Sequence, residues 1–174
     1  MKSLIDEPFS WKTTLSFLSL ATLIILLMGW LMMSDALPFK LVIDYSDSNA
    51  NFIRFWLVVA LLIGVLFPLI GFFVWIRDRQ SRKVLGFYLL VLIIQIVTER
   101  VLSRVLFPSI VAIVGTIYTA FRVWQLWQGQ QLIATVAQLG TASRTILRGL
   151  LWLMLIFWFS NIIMLSVVAW PSIL

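Results

Sequence analysis

No cysteine and no histidine occur in the 174 residues. Without Cys there is no disulfide, thiol nucleophile, Cys-ligated zinc or iron–sulfur cluster. Without His, the commonest general base and metal ligand are gone as well. Charge is scarce. The 13 Lys and Arg and 7 Asp and Glu make 11% of the chain, against roughly 25% in soluble domains. No Walker, dinucleotide-binding or GxSxG pattern is present, and no lysine lies deep in an apolar run to form a retinal Schiff base. Asp47, Asn49 and Asn51 alternate like the start of an EF-hand loop. Its sixth position, however, is Phe52 rather than Gly, and no Glu stands at the twelfth. No metal and no cofactor are therefore expected.

Apolar residues fill the space the charges leave. They are 62% of the chain, and mean hydropathy is +1.06. A soluble fold of this size has too little polar surface here to cover its core. The bilayer is the expected solvent, and residues 1–174 are read as a single integral membrane domain. A crossing needs roughly 20 apolar residues. Windows 13–33, 52–76 and 150–170 qualify directly. The stretch 84–127 is too long for one crossing and is broken by ERVLSR and Pro108. Because proline disfavours helix at the residue before it, this stretch is read as two helices, 84–103 and 108–127, joined by a tight turn. The fold class is all-α: a polytopic transmembrane bundle of about five spans. Trp11 and Trp30, Trp56 and Trp75, and Trp152 and Trp170 lie 18 or 19 residues apart. That is roughly 27–29 Å of helix, the spacing of interfacial belts.

Cation placement sets an expected orientation. With the N-terminus inside, nine cations face inward (Lys2, Lys12, Arg77, Arg79, Arg82, Lys83, Arg122, Arg144, Arg148) and four outward (Lys40, Arg54, Arg100, Arg104). The positive-inside rule then favours N-in, C-out. The pI of about 10.3 reflects this bias, and nucleic-acid binding is not expected because the cations are scattered over short loops. The first apolar run is too long for a signal h-region, and Asp6 and Glu7 spoil a basic n-region. It is read as a retained helix.

Residues 1–12 read as a short polar lead. In the outer loop 34–51, Pro38 and the Ser/Asp/Asn cluster mark turns. Phe39, Leu41 and Ile43 are expected in the headgroup layer, with Asn49 or Asn51 as N-cap. Gly64, Pro68 and Gly71 share a helix face. They predict a kink and close packing by a neighbour, or in a sharper reading a hinge. Ala112, Gly115, Thr116, Thr119 and Ala120 form a small-residue stripe for helix contact. The loop RDRQSRK, with Arg77, Arg79, Arg82 and Lys83, is expected to meet anionic headgroups or an acidic partner. In 128–148, Gln128, Gln130, Gln131 and Gln138 accompany Leu132, Ile133, Val136 and Leu139. This pattern predicts a short interfacial amphipathic helix stopped at Gly140.

One place carries chemical potential. Only 38 residues separate Lys83 from Arg122, fewer than the roughly 40 that two crossings need. Arg122 is expected to snorkel inward, and the turn to stay below the headgroups. Glu99 then lies inside the hydrocarbon. Gln95, Glu99 and Ser103 repeat every four residues and make one polar face; Arg100 and Arg104 make another. A carboxylate near a helix C-terminus is disfavoured by the dipole, so Glu99 needs a partner or a proton. Asn161 is the other deep polar group and an expected neighbour, with Tyr88, Tyr118 and Thr98 available to complete a network.

Three functions are compatible with these residues. The leading one is a non-catalytic accessory, assembly or scaffold subunit that packs against copies of itself or other membrane subunits. The second is an oligomeric channel or a proton- or cation-coupled transporter using Glu99. The third is a membrane enzyme on a lipid or isoprenoid substrate, confined to Asp44, Asp47 or Glu99 for its chemistry.

Overall fold

The computed structural model describes residues 9–43, 45–135 and 139–174. Lys2, Asp6, Glu7, Asp44, Val136 and Gln138, which entered the reading above, lie outside them. The described residues are helical, with no strand among them. Five helices are long and apolar enough to cross a membrane. They are α1 (Trp11–Met33), a rod in which α2 (Asp47–Val59) runs through a π-helical segment (Ala60–Leu66) into α3 (Phe67–Val74), α4 (Arg79–Val105), α5 (Ile110–Thr135), and α6 (Thr141–Met164), which continues through a second π-helical segment (Leu165–Ala169) into α7 (Trp170–Ile173).

Side-chain caps start three of them. Ser10 accepts from Thr13 N–H, Ser46 from Asn49 N–H and Asp78 from Ser81 N–H. Ser46, not Asn49 or Asn51, therefore caps α2, which absorbs both asparagines. Asp78 pulls 79–83 into α4, so most of the basic loop is helical. At the far end α5 continues unbroken to Thr135. No separate interfacial helix forms at 128–135, and Gly140 precedes α6 rather than stopping a helix. The lead also differs: Phe9 is fully buried.

These boundaries change the geometry of the hairpin. Leu106–Ser109 form the expected tight turn, with α4 and α5 antiparallel on either side. The helices hold 27 and 26 residues, roughly 40 Å each. The shortage expected from the Lys83–Arg122 count does not exist, because the helices run past both charges. The turn is roofed by the segment 34–43. Ser109 N–H donates to Leu41 O at 3.3 Å, and Lys40 N–H to Ile173 O at 2.7 Å. Phe39 packs edge-on against Trp170 and Ile43 against the Leu165–Ala169 segment, so both turn inward rather than into headgroups.

The two prolines explain the two π-helical segments. Proline lacks an N–H, and its ring clashes with the carbonyl four residues back. Just before Pro68, Phe67 N–H reaches back five residues to Leu62 O. Just before Pro171, Trp170 N–H reaches Leu165 O. One extra residue per turn relieves each clash. The packing role of Gly64 and Gly71 holds: a Cβ on Gly64 would lie 2.9 Å from Trp158 Cζ2, and one on Gly71 2.8 Å from Leu150 Cδ2.

Helix α5 is the hub. It packs along α4 on one side and α6 on the other, and α1 leans on it through Ala21, Ile25 and Met32. Trp11, Trp30 and Trp152 remain exposed, as a belt requires. Trp56 and Trp170 instead turn inward to hydrogen-bond.

Candidate functional site

The site forms where the hub presents its one charge. Arg122 is the thirteenth of the 26 residues of α5 and is 0% exposed. It does not snorkel inward as expected, because α4, α5 and α6 close around it. Its guanidinium lies 4.1 Å from the Trp158 ring centroid and 5.9 Å from that of Tyr88. Nε, Nη1 and Nη2 have no hydrogen-bond partner. A desolvated cation–π contact contributes about 2 kcal/mol, whereas removing an ion from water costs several. The aromatic face therefore only partly offsets the burial, and the fork keeps its demand for an acceptor.

Around Arg122 several deep polar groups are satisfied, although the Gln95 side-chain carbonyl oxygen and both amide atoms of Gln125 are not. Tyr88 OH donates to Gly64 O at 2.7 Å, a carbonyl to which Pro68 cannot donate, and accepts from Trp158 Nε1 at 2.8 Å. This chain fixes the indole that Arg122 covers. Asn161 accepts from Trp56 Nε1 at 2.7 Å and donates to Thr119 Oγ1 at 3.2 Å. One turn along α5, Thr116 Oγ1 accepts from Trp170 Nε1 at 3.0 Å. The small-residue stripe is thus used within the chain. Ala112 and Gly115 meet the Leu165–Ala169 segment, Thr116 and Thr119 serve as acceptors, and Ala120 faces outward.

Glu99 lies on α4 at the edge of this knot and is half-buried. Gln95 Nε2 donates to its Oε1. Arg122 lines the same cavity as Glu99, but no hydrogen bond joins the two. The expected third member, Ser103, turns away and donates to Arg100 O. Arg100 and Arg104 are exposed and take no part. Thr98 bonds its own helix at Ile94 O, and Tyr118 packs on Phe17. Asn161 lines the same cavity but does not reach Glu99.

That cavity has a volume of 310 Å³, near the small end of ligand pockets. Its polar wall is Gln95, Glu99, Arg122 and Asn161; hydrocarbon, glycine and indole make up the rest. Gly115 sets the floor, where an added Cβ would lie 3.8 Å from Glu99 Oε1. Leu57 and Leu61 on the α2 rod and Ile96 on α4 line the cavity and are exposed. The α2 segment has no extensive contact with α4. The cavity therefore opens sideways between these two elements. A second groove, of 470 Å³, gathers Arg79, Arg82 and Lys83 beside Trp11, Phe72 and Phe87. Arg77 is exposed nearby but does not line it.

Of the residues the sequence singles out, Gln95, Glu99 and Asn161 line the 310 Å³ cavity, and so does Arg122, which the sequence places at the inner interface. A usable signal existed, since no other charged residue stands within 17 positions of Arg122. Together the four polar groups offer a guanidinium fork, a carboxylate and two amides in an apolar shell. They suit recognition or charge handling and supply no nucleophile–base pair. No family model, curated protein or solved structure matches the chain, so its function is read from this geometry.

Proposed function

We propose that the chain is a non-catalytic multi-pass membrane protein, an accessory or assembly subunit, that works by binding within the bilayer. Its working part is the recess walled by Arg122, Glu99, Gln95 and Asn161. One observation carries this reading: Arg122 is fully buried on the wall of an open cavity, and none of its nitrogens has a hydrogen-bond partner. A charge held in this way costs stability, and intramembrane charges mark functional positions. The orientation belongs to the same proposal. The end carrying Arg77, Arg79, Arg82 and Lys83 faces the inner leaflet, where the groove beside Trp11 meets anionic headgroups.

A second reading has a specific observation in its favour. Glu99 and Arg122 line one cavity within the spans, and this supports a proton or cation path. Flux measurements on the purified protein in liposomes separate the two readings. Binding alone predicts no proton or cation flux from wild type. Flux that disappears in Glu99→Gln establishes the transport reading and removes the accessory one.

A further inference from the structure

We propose that the recess holds the anionic head of a single-chain or two-chain amphiphile, a carboxylate or phosphate ester on hydrocarbon, with its oxygens on Arg122. The inference rests on the recess being a binding site and names what it binds. The head chemistry follows from the unmet donors. Arg122 carries a planar fork with no acceptor of its own, and carboxylate and phosphate oxygens match that fork in pairs. Glu99 is already engaged by Gln95, so the larger unmet demand is for an anion.

The tail chemistry follows from the walls and the mouth. Apart from its four polar groups the cavity is hydrocarbon, glycine and indole, and its mouth lies between the exposed side chains Leu57, Leu61 and Ile96. A free inorganic anion would gain nothing from these walls. A partner helix, about 10 Å across, is too wide to enter a cavity of 310 Å³. A hydrocarbon chain is narrow enough to follow the walls outward and to leave its remainder among the lipids. The Trp158 ring lies 4.1 Å from the same guanidinium and is itself pinned by Tyr88, so the fork is held in place before any ligand arrives.

The test uses the full chain purified in a nonionic detergent, with thermal unfolding followed against added palmitate, phosphatidic acid, monopalmitin or inorganic phosphate. Wild type is expected to rise by about 3 °C or more with palmitate, phosphatidic acid or both, and not with monopalmitin or inorganic phosphate. Which of the two acidic probes acts distinguishes a fatty-acid head from a phospholipid head. Arg122→Leu is expected to bind the active probe at least about tenfold more weakly. Without ligand it should melt at the wild-type temperature or above, because an unpaired charge has been removed. Arg122→Lys keeps the charge without the fork and is expected to fall between the two. Glu99→Gln is expected to bind as well as wild type or better, since it removes a negative charge facing the head.

An equal rise with monopalmitin reduces the site to an apolar groove and overturns the proposal. So does an undiminished rise in Arg122→Leu, or tenfold weaker binding in Glu99→Gln. No rise with either acid overturns it too; if a stoichiometric polypeptide then co-purifies with wild type and is lost in Arg122→Leu, the recess belongs to a partner helix. If Arg122→Leu does not fold, Arg122→Lys and Glu99→Gln decide the matter alone. These outcomes are separate from Glu99-dependent flux, which bears on the accessory reading only.

Discussion

Two polar regions lie side by side in the bundle, and they are built differently. In the knot formed by Tyr88, Trp158, Asn161, Thr119 and Trp56, side chains from four helical elements exchange short hydrogen bonds. In the recess beside it, Arg122 has no hydrogen-bond partner. A satisfied polar group inside a membrane bundle fastens helices together, because its alternative is an unpaired group in hydrocarbon. An unsatisfied one does nothing for the fold. The knot therefore explains how the bundle holds, and the recess is where the chain is poised to do something else.

The contrast breaks most visibly if the knot is forced apart. Gly64→Val places a branched side chain where a Cβ already lies 2.9 Å from Trp158. Overpacking of this kind costs about 1–3 kcal/mol, and the upper end is expected because a rigid indole ring must move. Thermal unfolding in detergent should show the largest loss of any change considered, together with altered tryptophan fluorescence. Next comes Asn161→Leu, which leaves Trp56 Nε1 without its acceptor. A loss of about 1–3 kcal/mol is expected, and an unchanged midpoint would mean the knot is not a fastening.

Gln125 sharpens the comparison from the other side. It is fully buried on α5, and both of its amide atoms lack partners. It is near Arg122 in sequence but does not line the recess. Gln125→Leu is expected to leave stability unchanged or raise it by up to about 1 kcal/mol, and to leave amphiphile binding as in wild type. If it abolishes binding, the recess extends further along α5 than its walls suggest. The smallest effect belongs to Arg100→Gln with Arg104→Gln. Both side chains are exposed, so changes within about 0.5 kcal/mol are expected. A larger loss would return these arginines to the site.

Sidedness is open to a direct check, since the chain has no native cysteine to mask. Single cysteines at 36, 105 and 174 should label from the outer side and one at 80 from the inner side. Inner labelling at 105 would invert the orientation proposed for the hairpin.

Glu99 shows how the structure can remove the premise of an expectation. The count between Lys83 and Arg122 places Glu99 inside the hydrocarbon by making two helices too short to clear the bilayer. The helices are in fact long enough, since Asp78 starts α4 before the cluster and α5 runs through Arg122. Glu99 is partly buried because it faces α5 and the Leu165–Ala169 segment across a cavity. The same error hid Arg122. A charge read as a boundary marker places a mid-helix residue such as Arg122 at the edge. The basic end was legible as Arg79, Arg82 and Lys83, but their alignment on α4 depended on the Asp78 cap.

The sequence by itself determined the helical class, the number of apolar rods long enough to cross a membrane and the turn at Pro108. These follow from composition and from the chain length needed to bury backbone in hydrocarbon, which are local properties. Only the tertiary structure decided which polar groups would be satisfied. Trp56 meets Asn161 across 105 residues and Tyr88 meets Trp158 across 70, and no periodicity encodes such distances. Arg122 is left over because those pairings close around it, an outcome set by how three helices pack and not by any residue near it in the chain.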